Sequence, residues 1–426
     1  MRVLFVSFPA AAHVYPMVPL AWSLQAQCHE VRVAVHPSMA HEVGQSGLPA
    51  IAFGSCDNER MQAMLEFNAN LHDLEDLDND LAIRGEEDEP WHKAWLTLVG
   101  ALSLHTPDLP ELVALCRDWK PDLVLWDPLC IQAAVAAEAT GIPHARLLWG
   151  QDNVGWLWER YSRREPTGDM IIEGSLDWMM APMLEPYGLE FSETQILGQS
   201  SIDQRPAGWR IPTGIDYLPM RWAPYNGGAV AQSWVTTPPP RPRVVMTFGT
   251  SGRGRLLFHV SGSSFEDTVR TLCELDIELV VTLDKTKPIE NPPENLRIID
   301  YVPLSQILPT CAVIINHAGE GSVMTAGVHE VPQLLCPVPN WGEHNVARGV
   351  AATGNGLVLA AEDFTPEKAK AALSRLLTEP EFRAGAARFR RELDTLPFPA
   401  ELIPLLTERV RAHQGGGAPG RPDTER

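Results

Sequence analysis

The sequence predicts an α/β protein made of two doubly wound domains that face each other across a cleft. Three observations lead to this prediction. Apolar strand-like segments alternate with helical segments from residue 2 onward, and the alternation starts again after residue 242. A proline-rich stretch separates the two series, and 426 residues are enough for two cores of ordinary size. Strands that alternate with helices form parallel sheets that are covered on both faces.

The first domain is predicted over residues 1–225. Its strands are short apolar runs at residues 2–8, 30–35, 122–126 and 144–148. The helices between them are predicted at residues 16–26, 37–45 and 131–140. From residue 151 to residue 225 tryptophan and methionine are frequent and no clean period emerges, so no element is predicted there.

A linker is predicted over residues 226–242, because three consecutive prolines within it fit neither a helix nor a central strand. The second domain follows over residues 243–395. Its predicted strands are residues 244–248, 278–283, 296–299, 312–315 and 333–336. A C-terminal helix over residues 396–413 is predicted to pack back toward the first domain, and the glycine-rich tail, residues 414–426, is predicted to be disordered.

The composition is acidic, with 34 basic and 54 acidic residues and a formal net charge of −20. This charge argues against nucleic acid and anionic membrane as partners, because both require a positive surface. Residues 73–89 carry nine carboxylates and one arginine, which fits a solvated mobile loop or, alternatively, a binding surface. Seven scattered cysteines, no signal-peptide pattern and no membrane-length apolar run predict a cytoplasmic protein.

The stretch from Asn316 to Ser322 follows one of the predicted strands and precedes a helical segment. Gly319 and Gly321 make the turn small, so backbone N–H groups and the positive end of the helix dipole point at one place. His317 adds a donor that can carry charge. The stretch therefore indicates a phosphate site, with tight helix–strand packing as the alternative explanation.

Three further loops of the second domain are predicted at the same rim of its sheet, where open parallel sheets bind ligands. Thr250 and Ser251 offer hydroxyls to a second phosphate, Val302 lies in a loop suited to a flat base, and Glu343 and His344 suit a polar group beyond the phosphates. No G-x-G-x-x-G follows a first strand with an acidic residue about twenty positions later, and the P-loop pattern is missing too. The combination favours an activated donor whose nucleoside diphosphate is the leaving group.

His13 is the candidate general base of the first domain, because it follows the first strand on the rim that faces the cleft. Asp127, at the end of another strand, is the candidate partner that orients it. The alternatives are that His13 caps the following helix and that Asp127 only makes a turn before a proline. Trp149, Trp156 and Trp158 are candidates for an apolar acceptor pocket, and ordinary core packing explains each of them equally well.

Seven sequence motifs, spread over nearly the whole chain, indicate one protein family when they are taken in combination. They read MRVLFVSFPAAAHVYPMVPLAWSL, CHEVRVA, PDLVLWDP, GIPHARLLWG, VVMTFGTSGR, YVPLSQILPTCAVIINHAGEGS and PVPNWGEHNVARGV. In combination they resemble the GT-B glycosyltransferases of the actinomycete natural-product type, which glycosylate macrolide, anthracycline and other polyketide aglycones. The resemblance implies a GT-B fold of two Rossmann-like domains and a glycosyltransferase of the hexosyltransferase class.

The resemblance also implies an inverting, metal-independent transfer from a nucleotide-diphosphate sugar, usually a dTDP-deoxysugar, to a hydrophobic aglycone, without a cofactor. By motif, His13 is the base and Asp127 its partner. The remaining implied contacts are with the donor: its diphosphate at Thr250 or Ser251, His317, Gly319, Gly321 and Ser322, its base at Val302, and its sugar near Glu343 and His344.

The chain departs from the family pattern HHGGxGT, since Asn316 replaces the first histidine, Ala318 a glycine and Ser322 the threonine. His344 stands where many relatives have glutamine, which suits a deoxygenated or amino sugar.

Two alternatives from other classes stay open: a catalytically silent homologue that serves as scaffold or activator of a partner enzyme, and a nucleotide-sugar epimerase on the same fold. The sequence also leaves open a homodimer, a cytochrome P450-like activator protein, the identity of sugar and aglycone, and an O-, N- or C-glycosidic product.

Overall fold

Two parallel sheets, one before and one after the linker, organise the molecule. The computed structural model describes residues 1–54, 108–163, 176–230, 232–249, 255–282, 289–338 and 342–415. In these residues the first sheet has the strand order β3-β2-β1-β4-β5-β6-β7, and the second has the order β10-β9-β8-β11-β12-β13. Neighbouring strands run parallel in both sheets. The prediction of two doubly wound domains is confirmed.

The strands are short, as expected for sheets buried on both faces. The first sheet consists of β1 Arg2–Ser7, β2 Glu30–Val35, β3 Ala50–Ala52, β4 Leu123–Trp126, β5 His144–Leu147, β6 Ser201–Asp203 and β7 Tyr217–Pro219. The second sheet consists of β8 Arg243–Thr247, β9 Glu278–Thr282, β10 Leu296–Ile299, β11 Cys311–Asn316, β12 Gln333–Leu335 and β13 Gly356–Val358.

Helices cover the two faces of each sheet. Those of the first half are α1 Ala11–Val14, α2 Val18–Ala26, α3 Ala40–Gln45, α4 Leu109–Trp119, α5 Ile131–Glu138, α6 Asn153–Ser162, α7 Leu176–Leu184 and α8 Thr194–Leu197. Those of the second half are α9 Ser233–Thr236, α10 Arg255–Ser261, α11 Phe265–Leu272, α12 Leu304–Ile307, α13 Glu320–Val328, α14 Glu343–Ala352, α15 Pro366–Thr378, α16 Pro380–Asp394 and α17 Pro399–Gln414. Short 3-10 turns are Tyr15–Met17, Pro37–Met39, Glu185–Tyr187, Ala207–Trp209, Leu308–Thr310 and Ala361–Asp363.

Alternation along each central strand divides its side chains between two cores. In β1, Leu4 and Val6 pack in one apolar cluster, whereas Val3 and Phe5 pack in the cluster on the opposite face. All four are fully buried. A strand of this kind reads as a continuous apolar run because water reaches neither face.

The last helix, α17, belongs by packing to the first domain. Its residues Leu402 and Leu406 are buried in the same cluster as Leu20 and Leu24 of α2. The chain reaches that position through residues 396–398, where the backbone N–H of Arg221 donates to the carbonyl of Pro397 at 2.7 Å. The C-terminal segment therefore crosses from the second domain back to the first.

Several elements differ from the sequence-based expectation. β3, β6, β7 and β13 were not predicted, because a three-residue strand is too short to show a period of two. The predicted linker contains the short helix α9. Gln414 ends α17, and residues 416–426 lie outside the described residues, as does the acidic segment 73–89. Within the described part of the chain, no helix is long and apolar enough to cross a membrane.

Candidate active site

Three predicted site residues, His13, Asp127 and His317, follow the carboxyl ends of the strands at which each sheet reverses its strand order. In the first sheet the reversal falls between β1 and β4, and in the second between β8 and β11. The loops after the two neighbouring strands run in opposite directions, so a crevice forms between them. Ligands of open α/β sheets bind in this crevice. Each domain contributes one histidine to its crevice.

His13 and Asp127 form a buried pair on the first domain. Because Val6 of β1 pairs with Trp126 of β4, the loops after these strands start side by side. Nδ1 of His13 lies 2.7 Å from Oδ2 of Asp127, whose side chain is fully buried. Oδ1 of the same carboxylate accepts the backbone N–H of Leu129 at 2.9 Å.

This hydrogen bonding determines the tautomer of the histidine. An ionised carboxylate only accepts hydrogen bonds, so Nδ1 of His13 carries the proton and Nε2 keeps its lone pair. That nitrogen is the atom with which an imidazole removes a proton from another group. Burial and the nearby charge of Asp127 hold the pKa of the Cys130 thiol well above its ordinary value, which keeps that neighbour protonated.

Two aromatic rings flank His13. The ring of Trp149 lies 4.2 Å from that of His13 between centroids, and the ring of Phe8 lies at 4.8 Å. Only 8 % of His13 is exposed. Packing on both sides and the carboxylate below leave the imidazole little freedom to rotate, so its orientation is set before any ligand arrives.

His317 is confined by the backbone of the second domain. Its ring lies between Gly249 and Gly319: an added Cβ would come within 3.0 Å of Cε1 at Gly249 and within 2.6 Å of Nε2 at Gly319. Gly249 also has a φ of +73°, which disfavours any side chain there. Glycine is required at both positions for the ring to occupy this place.

Asn316 supports the turn that presents His317. Its Oδ1 accepts the N–H of Ala318 at 2.8 Å, and its Nδ2 donates to Oε1 of Gln333 at 3.1 Å. Ala318 has a φ of +66°, which a residue with a Cβ adopts only at some cost. The asparagine stabilises this conformation in the place where the family pattern has a histidine.

The start of α13 is suited to an anion. Gly319 is the N-cap residue of α13, and no side chain caps this helix, so side chains do not occupy its first N–H groups. A Cβ at Gly321 would be in van der Waals contact with Trp222, at 3.9 Å. The N–H of Ser322 donates to the carbonyl of Gly319 at 3.0 Å.

The other predicted donor contacts are placed as follows. Val302 is buried in an apolar cluster with Leu304. Glu343 begins α14 and is buried, and His344 beside it is half-buried. Thr250 and Ser251 lie outside the described residues.

The three predicted acceptor tryptophans occupy two environments. Trp149 lies in the loop after β5, against His13. Trp156 and Trp158 of α6 are only 2 % and 7 % exposed and belong to the apolar cluster under the first sheet. Core packing accounts for these two side chains, and Trp149 is the one next to the candidate base.

Sequence reasoning missed a charged group at the centre of the cleft. Glu320, the first residue of α13, has a side chain that is 9 % exposed, and its Oε1 lies 3.6 Å from Nε of Arg205 in the first domain. Burial raises the pKa of Glu320 to about 7, helped by the charges of Asp203 and Glu343 and opposed by Arg205. An acidic residue at the variable position of a glycine-rich phosphate turn was the available signal.

Metal ligands were not expected from the sequence. Among the residues whose structure is described, no group of three or more His, Cys, Asp and Glu side chains is placed to hold a metal ion.

Two parallel-sheet domains, with a histidine–aspartate pair on one rim and His317 before a helix on the other, are the architecture of a two-domain glycosyltransferase. The comparisons identify its family. The chain belongs to the erythromycin biosynthesis protein CIII-like family, whose N-terminal domain matches residues 22–249 and whose C-terminal domain matches residues 266–409. The resemblance to natural-product glycosyltransferases and the GT-B fold are thereby confirmed.

Individual relatives align over nearly their full length. An aclacinomycin-T 2-deoxy-L-fucose transferase of Streptomyces galilaeus is 35 % identical over 433 residues, 97 % of this chain and 97 % of its own. A 10-deoxymethynolide desosaminyltransferase of Streptomyces venezuelae is 36 % identical over 443 residues, 99 % of this chain and 100 % of its own. The glycosyltransferase VinC, solved in complex with dTDP, superposes with a TM-score of 0.85 at 33 % identity and covers 96 % of this chain and 100 % of its own.

Proposed function

We propose that the protein moves a deoxysugar from a dTDP-sugar to a hydrophobic polyketide-like aglycone, with inversion at the anomeric carbon and without a metal ion or cofactor. The observation that carries this proposal is the pair of complementary loops across one cleft. One loop holds His13 against Asp127 at 2.7 Å, and the other holds His317 beside the start of α13. A base and a leaving-group site then face each other.

The chemistry follows from these positions. Nε2 of His13 takes the proton of the acceptor, whose freed electron pair forms a bond to the anomeric carbon. The bond from that carbon to the diphosphate oxygen breaks, and its electron pair leaves with the diphosphate. A single displacement of this kind attacks opposite the leaving group and inverts the configuration. Asp127 stabilises the imidazolium that forms.

The leaving diphosphate gains negative charge as the bond breaks. Backbone N–H groups at the start of α13 and the ring of His317 are fixed before the reaction, so they meet this charge without reorganising. Prepositioned donors of this sort stabilise a developing anion much as a bound cation does in other enzymes. This is the physical support for a metal-independent reaction.

The relatives support the substrate classes. Their names include a 2-deoxy-L-fucose transferase and a desosaminyltransferase, and VinC was solved with dTDP. Trp149 beside His13 gives the acceptor side an aromatic surface. These observations favour a dTDP-linked deoxysugar and an apolar acceptor.

The test is incubation of the purified protein with dTDP-deoxysugars and polyketide aglycones, with and without EDTA and with and without a cytochrome P450-like activator protein. We expect a product heavier by the sugar mass, with inverted anomeric configuration by NMR, and equal yield in EDTA. Retained configuration would contradict the single displacement. Loss of yield in EDTA that Mg²⁺ restores would contradict metal independence. No sugar transfer with any donor and acceptor pair, with or without the activator protein, would favour a silent homologue. Epimerised dTDP-sugar would favour an epimerase.

A further inference from the structure

The loop that follows β5 reaches three parts of the cleft with three consecutive residues. Trp149 packs on the candidate base His13, with ring centroids 4.2 Å apart. An added Cβ on Gly150 would lie 3.4 Å from Oε2 of Glu320 in the second domain. Oε1 of Gln151 accepts a hydrogen bond from Nδ2 of Asn345 at 3.1 Å. One short segment of the first domain therefore contacts both the base and the donor half.

The Gln151 side chain is held at both ends of its amide. Its Nε2 donates to Oδ1 of Asn153 at 2.6 Å, while its Oε1 accepts from Asn345 across the cleft. The amide also lies against Gly342, where an added Cβ would come within 3.1 Å of Nε2. Gly342 is the N-cap residue of α14, and its φ of +148° belongs to glycine.

The position of this contact within α14 matters. The helix begins at Glu343, and the predicted sugar contacts Glu343 and His344 lie between the two points that Gln151 touches, Gly342 and Asn345. A side chain of the first domain thus sets where the sugar-binding end of α14 lies.

A buried ion pair makes the loop rigid. Nη1 and Nη2 of Arg146 donate to the two oxygens of Asp152 at 2.9 and 2.7 Å, and both side chains are at most 1 % exposed. The hydroxyl of Tyr217 and the N–H of Gly155 donate to the same carboxylate at 2.9 Å each. Asp152 directly follows Gln151. The loop that carries Gln151 is therefore rigid and cannot bend to follow a displacement of α14.

We propose that Gln151 is a positioning residue that sets the distance between the anomeric carbon of the donor and the base His13, through its hydrogen bond with Asn345. The inference rests on the proposed function and deepens it. Reacting atoms must lie about 3–3.5 Å apart, and a misplacement of about 1 Å costs roughly 10²-fold in rate. Gln151 acts on the reaction only through Asn345 and Trp149.

The experiment is a double-mutant cycle of Gln151→Ala and Asn345→Ala, measured with a donor and acceptor pair that the wild type uses. We expect each single variant to lower kcat roughly 10-fold or more and the double variant to be no slower than the slower single. The Kd for dTDP stays within about twofold, because the nucleotide contacts lie elsewhere in the second domain. Losses that multiply in the double variant would overturn the inference.

The matched control is Arg348→Ala. Oδ1 of Asn345 accepts from Nη2 of Arg348 at 2.7 Å, so Asn345→Ala removes this bond as well as the bond to Gln151. Arg348→Ala removes this bond and keeps the bond between Asn345 and Gln151, so we expect it to leave kcat unchanged. If Arg348→Ala loses as much as Asn345→Ala, the contact across the cleft is not the cause.

A second measurement separates positioning from stability. The ratio of donor hydrolysis to sugar transfer rises when the acceptor and donor are misaligned, whereas a loss of folded enzyme lowers both rates together. We expect this ratio to rise at least several-fold in Asn345→Ala, which leaves the first domain intact even if Gln151→Ala does not fold. An unchanged ratio and kcat in a transferring enzyme would overturn only this inference. A wild type that transfers no sugar would instead count against the proposed function.

Discussion

The two halves of the molecule hold their histidines in opposite ways. His13 and His317 both follow the carboxyl end of a strand, and both are at least nine-tenths buried, but His13 lies within the short helix α1 whereas His317 lies in the turn before α13. His13 is held by a charged partner, Asp127, at 2.7 Å. The ring of His317 packs against two glycines, where an added Cβ would contact it. The two rings therefore have different surroundings, which suit the two different tasks that we propose for them.

The difference has a physical basis. A carboxylate on Nδ1 fixes the tautomer and stabilises the charge that a base acquires, so it suits a group that takes a proton. Packing against glycines limits where the ring of His317 can lie, and the carboxyl group three residues further along the chain, Glu320, has a pKa raised to about 7, which reduces its negative charge. Glycines alone around His13 would leave its tautomer undetermined.

Replacing His13 tests the first half of the comparison and has the largest expected effect. His13→Ala removes the base, so we expect turnover to fall roughly 10²–10⁴-fold while the Kd for dTDP is unchanged. Steady-state kinetics and calorimetric titration measure the two quantities. His41→Ala, at an exposed position of α3, is the control and is expected to keep full activity. Lost dTDP affinity in His13→Ala would show that this residue is not acting as a base.

Replacing His317, or Gly249 which packs against its ring, tests the second half of the comparison. His317→Ala removes a donor to the diphosphate, and Gly249→Ala pushes a Cβ into the ring at 3.0 Å. A hydrogen bond to a charged group contributes about 1.5–3 kcal/mol, so both variants should weaken dTDP binding roughly 10- to 100-fold and slow turnover as well. Calorimetric titration with dTDP measures this. An unchanged Kd for dTDP in His317→Ala would contradict the assignment of His317 to the diphosphate.

Asn316 supports the confined histidine without touching a ligand. Asn316→Ala leaves the N–H of Ala318 and the Oε1 atom of Gln333 without their partner in a buried turn, which costs about 1–3 kcal/mol. We expect a melting temperature lower by a few degrees, measured by calorimetry or circular dichroism. Gln45→Ala on the exposed surface of α3 serves as the control. A melting curve identical to that of the wild type would show that the turn does not depend on this side chain.

Glu320 gives an effect on stability that appears only as a dependence on pH. Its pKa is raised in the folded protein to about 7, so the folded state binds the proton more tightly than the unfolded state. Stability relative to Glu320→Gln is then greatest below about pH 4.5 and is lost as pH rises through about 7, by roughly 3 kcal/mol in total. Chemical denaturation from pH 4.5 to pH 8 checks this.

The exposed Glu408→Gln variant is the control for that pH series. Its difference from the wild type is expected to stay constant across the range. A wild type that becomes more stable than Glu320→Gln on going from pH 4.5 to pH 8 would contradict the raised pKa.

Much of this architecture is readable from the sequence. Strands of four or more residues, such as β4 and β11, have enough apolar positions to be recognised, and topology alone brings the loops after them to one rim. This reasoning put His13, Asp127 and His317 in their places along the cleft. The three-residue strands β6 and β7 escape it, because neighbouring strands rather than their own residues determine their conformation.

The contacts between the domains could not be predicted. Gln151 meets Asn345, and Arg205 meets Glu320, over separations of more than a hundred residues. Such contacts depend on how one domain is rotated against the other, which no local pattern encodes. The two glycines against His317 are a partial exception. Gly249 and Gly319 can be identified in the sequence, but only the three-dimensional structure shows that both lie against one ring.

The return of α17 to the first domain has a consequence for chimeric enzymes. A hybrid cut once, in the linker, combines the acceptor domain of one parent with a terminal helix from the other, so Leu402 and Leu406 of the wrong parent face α2. The natural unit of exchange is discontinuous, and it consists of the first 225 residues together with the segment from residue 397 to residue 414. A hybrid glycosyltransferase on this scaffold therefore needs two crossover points between the parent sequences rather than one.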